Sequence, residues 1–595
     1  MKQFFKFLFA SCLGSGLAII LSFFIIVGII ASMIASVSKS SDDVKVKDNT
    51  VLVIDLSNLV YDREIEDISS MLSTDGINNK AIGLTEFMQV IDKAKSDKNI
   101  KAIMLNLATF QANGVATAQE IREILQDFKS SGKKIYAYGD MIDQKSYYIA
   151  TVADKIMVNP AGMVTLSGLG GEVMYYKDLI TKLDIDVDLI RPVSNAYKSA
   201  GETYTMNHMS DSNRVQTRQY LNSIWSVLSS QMATSRGIDE VKFNNLIASL
   251  QGFLPQDAYK NKLVDYLGFK SDYKDTINKE VIAQNKLSAK TKINYIAYNK
   301  YRKSITDINK SQNENIAIVY AYGNVNQGKG SDLSIGSETV CKAIEKAANN
   351  DKVKAIVLRV NSPGGDAVAS ELITNEVIKA KKKKPVIVSM GDMAASAGYE
   401  MSSNASYIVA NQTTITGSIG VFGVIPNFGR ALKNKIGITF DTVKTHTNSN
   451  PISVFTPMTA EAKAMMQRNV ENFYTNFITK VAQGRGKTPE YINTIAKGRV
   501  WSGTDAKPIG LVDEFGGLKK AIQVAASKAN LKSYGIVTYP KTRGIFDQIV
   551  DNSSDEVKMK SLTKELGKPY TFFLQLKDIS EMQGVQMRMD YIINF

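Results

Sequence analysis

A serine and a lysine, in different parts of the chain, have the side chains and the surroundings for covalent chemistry. Ser396 lies among very small residues in Ala394-Ala395-Ser396-Ala397-Gly398, and Lys198 lies in Tyr197-Lys198-Ser199-Ala200. A serine that opens a helix has amide N–H groups near it that favour a developing oxyanion, and small neighbours let a substrate backbone come close. A lysine can act as its general base when burial lowers the lysine pKa from about 10.4 toward neutrality. The two residues therefore predict a nucleophile and base for acyl-group hydrolysis.

A diglycine turn precedes the serine. Asn361-Ser362-Pro363-Gly364-Gly365 lies about thirty residues upstream of Ser396. Backbone amides of Gly364 and Gly365, together with that of Ala397, are the predicted oxyanion donors. The small-residue string alone is more typical of tight helix packing than of catalysis. Its combination with the turn favours catalysis.

The chain contains an internal duplication. Three segments recur in order at offsets that drift only from 253 to 248: Lys101-Ala102-Ile103-Met104-Leu105 with Lys354-Ala355-Ile356-Val357-Leu358, Gly139-Asp140-Met141 with Gly391-Asp392-Met393, and Leu263-Val264-Asp265 with Leu511-Val512-Asp513. The first half has residues 108–112 in place of the diglycine turn and Gln144 in place of Ser396, and the second half has Pro451 at about the position of Lys198. The first half therefore lacks the diglycine turn and the serine, and the second half lacks the lysine.

The pattern of apolar runs predicts the elements that position these residues. Each half alternates strands and helices, which indicates βαβ units and a mainly parallel sheet. The predicted strands are 51–56, 102–107 and 134–138 in the first half and 316–320, 355–360 and 386–390 in the second; the predicted helices are 117–130 and 212–235, then 367–382 and 460–483.

The N-terminus is predicted to be a membrane anchor. No charged residue lies between Lys6 and Lys39, and the apolar run 7–35 exceeds the roughly 20 residues that cross a bilayer. Lys2 and Lys6 favour a cytoplasmic N-terminus, with the rest of the protein across the membrane. A cleavable signal peptide is the competing interpretation, but the apolar run is longer than such peptides carry. A lipoprotein at Cys12 is a weaker alternative.

Composition excludes several other functions. The chain has 595 residues, 44% hydrophobic and 22% charged, which is typical of a folded protein. Its net charge of +14 is spread along the chain, and the run Lys381-Lys382-Lys383-Lys384 is typical of a solvated helix end, so no nucleic-acid partner is expected. The two cysteines, Cys12 and Cys341, cannot form a cysteine zinc site, and no cofactor or metal is predicted. His208 and His446 lie in no recognisable motif, so a Ser-His-Asp triad is left open but not favoured.

In combination these motifs resemble the long, tandem-repeat form of signal peptide peptidase A. The resemblance runs from the apolar N-terminus to about Asn530 and includes Thr416-Gly417-Ser418-Ile419-Gly420. It implies a Clp protease and crotonase-like fold, Ser396 as nucleophile, Lys198 as general base and Ser418 as the residue that holds the lysine amine. It also implies a homotetramer anchored in the bacterial inner membrane, with its catalytic part on the extracytoplasmic side, acting on signal peptides and other apolar peptides. Where the family often has glycine after the serine, this chain has Ala397, which is still small.

The expected organisation follows from the repeat and the resemblance. It comprises an anchor (1–38), a linker (39–50), a repeat that supplies the lysine (51–300), a second linker (301–315), a repeat that supplies the serine (316–531) and a C-terminal extension (532–595). Two other functions remain alternatives on the same fold: an enzyme acting on acyl-CoA thioesters, and a catalytically inactive membrane scaffold.

Overall fold

Two α/β halves, each built around a parallel sheet, make up the protein in the computed structural model. The structure describes residues 44–56, 60–63, 82–107, 114–305, 311–541 and 585–589, together with Gly14 and Leu21-Ser22. The predicted anchor therefore lies almost entirely outside the described residues, as do residues 108–112. Within the described part, no helix is both long enough and apolar enough to cross a membrane.

The sheet of the first half has six strands, all parallel. In spatial order they are Tyr266–Leu267, Lys155–Val164, Lys134–Ile142, Ile100–Asn106, Thr50–Asp55 and Asn294–Ala297. The helices of this half are Leu84–Ser96, Val115–Lys129, Gln144–Ala150, Lys177–Lys182, Glu202–Thr205, Asp211–Arg236, Glu240–Ala248, Pro255–Lys260, Lys270–Gln284 and Tyr298–Lys303.

The sheet of the second half repeats this order. Its main path is Val500–Ser502, Ile415–Gly417, Val386–Ala395, Val353–Ser362, Asn315–Tyr322 and Gly535–Tyr539, with Tyr407–Ala410 and Glu514–Phe515 beside it. Only Val500–Ser502 is antiparallel to its neighbour. The helices are Ser337–Asn349, Ala367–Lys381, Ala397–Ser403, Gly429–Ala431 continuing as a π-turn over Leu432–Ile436, Ala460–Arg485, Pro489–Ile495, Gly503–Ala506 and Leu518–Lys528.

Three small sheets complete the described fold. Strand Asp186–Ile190 of the first half pairs antiparallel with Gly423–Asn427 of the second, and we call this pair the lysine ribbon. A five-stranded sheet contains Gly330–Ser331, Ser334–Gly336, Asn324–Asn326, Gly364–Asp366 and Gln586–Arg588. Val60–Tyr61 pairs with Ile82–Gly83.

The central strands can be predicted from the sequence because they are buried. Helices cover both faces of each sheet, so central strands are apolar throughout rather than alternating. Residues 316–321 are all buried. The tandem α/β architecture with parallel sheets is thus confirmed. The second half, however, extends further than its sequence similarity, because Gly535–Tyr539 pairs with Asn315–Tyr322 as Asn294–Ala297 pairs with Thr50–Asp55. Residues beyond 532 therefore contribute a strand to the sheet of the second half.

The halves are joined by buried charge as well as by a shared apolar core. Arg359 of the second half is 0% exposed and contacts Asp62 and Glu120 of the first half at 2.8 and 2.7 Å. Asp392 of the second half accepts hydrogen bonds from the amide and hydroxyl of Thr117 at 2.7 and 2.6 Å. Removing one member of such a buried pair costs about 3–5 kcal/mol, since it leaves an uncompensated charge. The two halves are therefore fixed relative to each other.

Candidate active site

Lys198 and Ser396 meet at the junction of the two halves. The Nζ of Lys198 donates to the Oγ of Ser396 at 2.8 Å, and both side chains are buried, at 2% and 0% exposure. The same Nζ contacts the Oγ of Ser418 at 3.0 Å and its carbonyl oxygen at 3.2 Å. A nucleophile hydrogen-bonded to a base, with a third group orienting that base, is the geometry of activated-serine catalysis. One chain supplies all three side chains.

Ser396 lies between a strand and a helix in a sparsely populated backbone conformation. Val386–Ala395 ends directly before it, and Ala397–Ser403, which we call the serine helix, begins directly after it. Its φ is 56° and its ψ is −117°. The amide of Ser396 donates to the carbonyl of Gly417 at 2.8 Å, which fixes this turn. Such conformations cost about 1–3 kcal/mol and persist at functional sites because the surroundings impose them.

Ser418 has an equally constrained position. Its φ is 49°, and its amide donates to the carbonyl of Arg499 at 2.7 Å. It directly follows the strand Ile415–Gly417, which lies between Val386–Ala395 and Val500–Ser502. The strands beside it therefore fix both of its oxygens toward Lys198.

The lysine ribbon carries Lys198 across to the second half. Beyond strand Asp186–Ile190, the amide of Tyr197 donates to the carbonyl of Lys497 at 3.0 Å. Gln216 holds the same segment, because its Nε2 donates to the carbonyl of Tyr197 at 2.9 Å. Lys198 belongs in sequence to the first half, but its anchoring contact at Lys497 lies in the second.

The diglycine turn lies against Ser396. Gly364 has a φ of 109°, and a Cβ placed there would come within 2.0 Å of the carbonyl oxygen of Met587 and 3.0 Å of the Cβ of Ser396. Only glycine combines this backbone conformation with so close an approach. The amide of Gly364 donates to the Oγ of Ser362 at 3.2 Å. The preceding strand ends at Ser362, and Gly364–Asp366 forms a short strand of its own in the five-stranded sheet.

A short segment near the C-terminus lies along this turn. Gln586–Arg588, which we call the C-terminal strand, pairs antiparallel with Gly364–Asp366, in the register Gly364 with Arg588 and Gly365 with Met587. On its other side, Phe422 and Gln586 exchange backbone hydrogen bonds of 3.0 and 2.8 Å. Three apolar side chains at alternate positions of this segment are buried: Val585, Met587 and Met589. The C-terminal strand thus lies between the diglycine turn and Phe422, with its alternate apolar side chains packed into the core.

A buried carboxyl group lies in the serine helix. The amide of Glu400 donates to the carbonyl of Ser396 at 2.9 Å, and its side chain accepts a short hydrogen bond from the Oγ of Ser370. Burial raises the pKa of Glu400 to about 7, against the opposing effect of the Ser370 hydroxyl. Glu400 is 1% exposed and lies one helical turn after Ser396.

Other residues singled out by sequence lie away from these contacts. Gln144 holds a turn of the first half, where its Oε1 accepts from the amides of Ser167 and Gly168 at 3.2 and 2.9 Å. Gln144 does correspond to Ser396, because Tyr147 and Tyr399, each three residues later, donate to the equivalent carbonyls of Leu263 and Leu511.

Neither histidine contacts the dyad. His208 and His446 are exposed, and the ring contacts of each are with a sequence neighbour, Met209 and Thr445 respectively. Among the described residues, no group of histidine, cysteine, aspartate and glutamate side chains is arranged to hold a metal ion.

The fold and the Ser396–Lys198 pair define a class, that of serine peptidases built from repeated parallel α/β units. Residues 127–284 and 378–532 match the model of Peptidase family S49. The chain belongs to this family, with one match in each half.

Two relatives are similar in sequence to most of this chain. It is 36% identical to Protease 4 of Salmonella typhi over 483 residues, which cover 80% of this chain and 76% of that protein. It is 29% identical to the chloroplastic serine protease SPPA of Arabidopsis thaliana over 529 residues, covering 87% of this chain and 75% of that one. A shorter relative, the putative protease MJ0651 of Methanocaldococcus jannaschii, is 36% identical over 241 residues, which are 39% of this chain but 77% of that protein.

Proposed function

We propose that this serine peptidase cleaves signal peptides and other apolar peptides with a Ser396–Lys198 dyad. The single observation that carries the dyad is the 2.8 Å hydrogen bond between Lys198 Nζ and Ser396 Oγ in a buried site. The Oγ of Ser396 attacks the scissile carbonyl carbon while Lys198 takes its proton. The resulting oxyanion is stabilised by amides of Gly364, Gly365 and Ala397. Lys198 then protonates the leaving amine, and water releases the acyl group from Ser396.

The C-terminal strand supports an apolar, extended substrate. A peptide that adds as a strand gains affinity from its backbone and specificity from pockets for alternate side chains. Val585, Met587 and Met589 occupy such positions here. The relative from Enterococcus faecium that carries the name putative signal peptide peptidase SppA is 32% identical over 197 residues. An apolar signal peptide fits both observations.

Active-site labelling tests the dyad. A fluorophosphonate should label Ser396, located by mass mapping of the labelled peptide, and Ser396→Ala should lose both label and hydrolysis. Gln144→Ala, at the corresponding position of the first half, is the control. It should keep near-normal turnover while losing about 1–3 kcal/mol of stability from its turn contacts. A label on another serine would contradict the proposal.

Matched peptides test the substrate. One peptide carries apolar residues at alternate positions, and its partner of equal length carries serine there. The proposal expects a kcat/KM at least about tenfold higher for the apolar peptide, because each enclosed side chain contributes about 1.5–3 kcal/mol when fully buried. Equal rates would reject the apolar preference but leave the dyad standing.

The proposed setting is a membrane-anchored homotetramer facing the extracytoplasmic side. The anchor rests on the apolar run 7–35, and the number of chains is what the resemblance to the tandem-repeat family implies for a duplicated chain. If each half takes the place of one subunit in a ring of eight single repeats, four chains close the ring. Light scattering on the fragment lacking residues 1–38 should give a mass near four protomers, and an active monomer would contradict the assembly.

A further inference from the structure

Arg499 contacts aromatic rings on both sides of the junction at which Lys198 enters the active site. Its guanidinium carbon lies 4.9 Å from the ring centre of Tyr197 and 4.4 Å from that of Trp501. Tyr197 directly precedes Lys198 and comes from the first half, whereas Trp501 lies in a strand of the second half. One cation therefore connects the neighbour of the proposed base to the sheet of the other half. We call Arg499, Tyr197 and Trp501 the arginine stack.

The backbone of Arg499 holds the partner of the base. Its carbonyl accepts a hydrogen bond of 2.7 Å from the amide of Ser418, the residue whose two oxygens contact Lys198 Nζ. Trp501 packs against Gly417, where an added Cβ would come within 2.7 Å of the ring and within 3.0 Å of the Arg499 carbonyl oxygen. Arg499 therefore fixes Ser418 through its backbone and contacts the neighbour of Lys198 through its side chain.

The 26-residue helix of the first half holds the guanidinium in place. Nη2 of Arg499 donates a short hydrogen bond to Oε1 of Gln219 on this helix. One turn earlier, Gln216 donates to the carbonyl of Tyr197 at 2.9 Å and accepts from the amide of Val500 at 3.1 Å. The helix therefore fixes the guanidinium together with the backbone that precedes Lys198.

The stack uses properties that arginine has and lysine lacks. A guanidinium is planar, stacks on aromatic faces and stays charged, whereas an ammonium is a compact charge on a flexible stem. Arg499→Lys would keep the charge but lose the flat contact with both rings. This exchange therefore separates an effect of position from an effect of charge.

We propose that Arg499 is a positioning residue for the proposed dyad: stacked on Tyr197, it holds the Lys198 amine in line with Ser396. It acts through Lys198 and not on the reacting atoms, because its side-chain contacts are the two rings and the helix. A displacement of about 1 Å at a reacting centre can cost about 100-fold in rate, so a small tilt of the segment is enough to lower turnover. The inference rests on the proposed function, since it assigns a role relative to that dyad.

Arg499→Lys tests the proposal in the full-length protein. On an apolar peptide, kcat should fall about 10–100-fold with less than about a twofold change in KM, because the exchange displaces the amine and leaves the diglycine turn unaltered. The rate at which a fluorophosphonate labels Ser396 should fall by a similar factor, since labelling needs the base but no bound peptide.

Arg236→Lys is the matched control. Arg236 donates hydrogen bonds to Lys262 and Asp265 within the first half, so its exchange should lower stability without lowering kcat. A loss of kcat as large as in Arg499→Lys would show that general destabilisation is responsible. Unchanged kcat in Arg499→Lys, or a rise in KM alone, would overturn the proposal.

Exchanges at Tyr197 test the other side of the stack. Tyr197→Phe keeps the ring and should retain most of the turnover, whereas Tyr197→Leu should lose as much as Arg499→Lys. Residues that act through one contact are not additive, so the variant with both Arg499→Lys and Tyr197→Leu should lose little more than either single variant. Losses that multiply would mean that the two residues act independently, which contradicts the stack.

Tryptophan fluorescence reports the stack without any measurement of activity. The chain has two tryptophans, Trp225 and Trp501, so Trp225→Phe leaves Trp501 as the only reporter. In that background, Arg499→Lys should shift the emission and make it easier to quench with acrylamide, while the far-ultraviolet circular dichroism stays the same. Unchanged emission together with lost turnover would show that the stack persists and would overturn the assigned cause.

Failure of the positioning role and failure of the proposed function give different results. A wild-type protein that is not labelled at Ser396 would reject the proposed dyad. Labelling of the wild type at Ser396, together with normal kcat in Arg499→Lys, would reject the positioning role alone.

Discussion

Lys198 and Ser396 are separated by 198 positions and belong to different repeats, yet Lys198 Nζ lies 2.8 Å from Ser396 Oγ. Duplication explains this arrangement. Two copies of a complete unit would each carry both residues, whereas here one copy has Lys198 and the other has Ser396 and its glycine turn. The proposed dyad therefore depends on the contact between halves, which Arg359, Asp62 and Glu120 also secure.

The identity of the base can be tested with Lys198→Arg. A guanidinium stays protonated at any usable pH, so the variant should lose at least about 10²–10⁴-fold in kcat/KM although it keeps the positive charge. In the wild type, kcat/KM should rise with pH, because only a neutral lysine can accept the proton of Ser396. The measurement is kcat/KM against pH on an apolar peptide, with folding checked by circular dichroism.

A histidine-free protein is the control for that experiment. His208→Gln with His446→Gln should keep both the turnover and the shape of the pH profile. If the profile changed with the histidines, or Lys198→Arg turned over normally, Lys198 would not be the base.

Ser418→Ala should weaken catalysis without abolishing it. The variant loses the 3.0 Å contact from Ser418 Oγ to Lys198 Nζ but keeps the carbonyl contact at 3.2 Å. A hydrogen bond to a charged or reacting amine is worth about 1.5–3 kcal/mol, which corresponds to roughly a 10–100-fold loss in kcat with a shifted pH profile. Ser418→Gly, which tolerates the left-handed conformation, should lose a similar amount. Recovery in the glycine variant would assign the effect to backbone strain instead.

Gly364→Ala should inactivate the enzyme because the added Cβ would collide with neighbouring atoms next to Ser396. Its Cβ would lie 2.0 Å from a backbone carbonyl in the cleft and 3.0 Å from the Cβ of Ser396, at a φ of 109°. We expect about a 100-fold or greater loss in kcat/KM, since a displacement of about 1 Å at a reacting centre can cost that much. Gly328→Ala is the matched control, because Gly328 has a φ of 77° but open space around it. Equal losses in both variants would show that strain alone is responsible.

Glu400 predicts a pH-dependent stability difference. Its pKa is about 7 in the folded protein against 4.5 for the ordinary side chain, so the folded state holds the proton more tightly. Stability contributed by this group is complete below pH 4.5 and is lost as pH rises through 7. Glu400→Gln keeps an acceptor for Ser370 and has no proton to lose. Relative to wild type, the variant should gain about 3 kcal/mol between pH 4.5 and pH 8.

Chemical denaturation at several pH values measures that gain. Glu461→Gln, on an exposed helix start, controls for the removal of one charge. A pH-independent difference between wild type and Glu400→Gln would show that the carboxyl group does not titrate in this range.

Local sequence was sufficient to predict the repeated strands and helices, because buried parallel strands are continuous apolar runs in the sequence. It was also sufficient to identify Ser396 and Lys198 as candidate catalytic residues. The first half has no serine at the position of Ser396, and the second half has no lysine at about the position of Lys198. The short strands at the site were not predicted. Gly364–Asp366 and Asp186–Ile190 are strands only because distant segments pair with them.

Two further features had weak signals in the sequence. Arg359 interrupts an otherwise apolar run, which indicates a buried charge that needs partners, but nothing local identifies Asp62 or Glu120 as those partners. Val585, Met587 and Met589 alternate as in a half-buried strand, but the pattern is too short to distinguish from chance.

The lysine ribbon is a part of the enzyme that can open while the two main sheets stay folded. A two-stranded antiparallel pair has little stability of its own, and this one brings Lys198 to Ser396. Sub-global opening of the ribbon would withdraw Lys198 while both sheets stay folded. On heating, hydrolysis should therefore disappear reversibly before the cooperative melting of either half, so that the working temperature range is set by the ribbon and not by the two sheets.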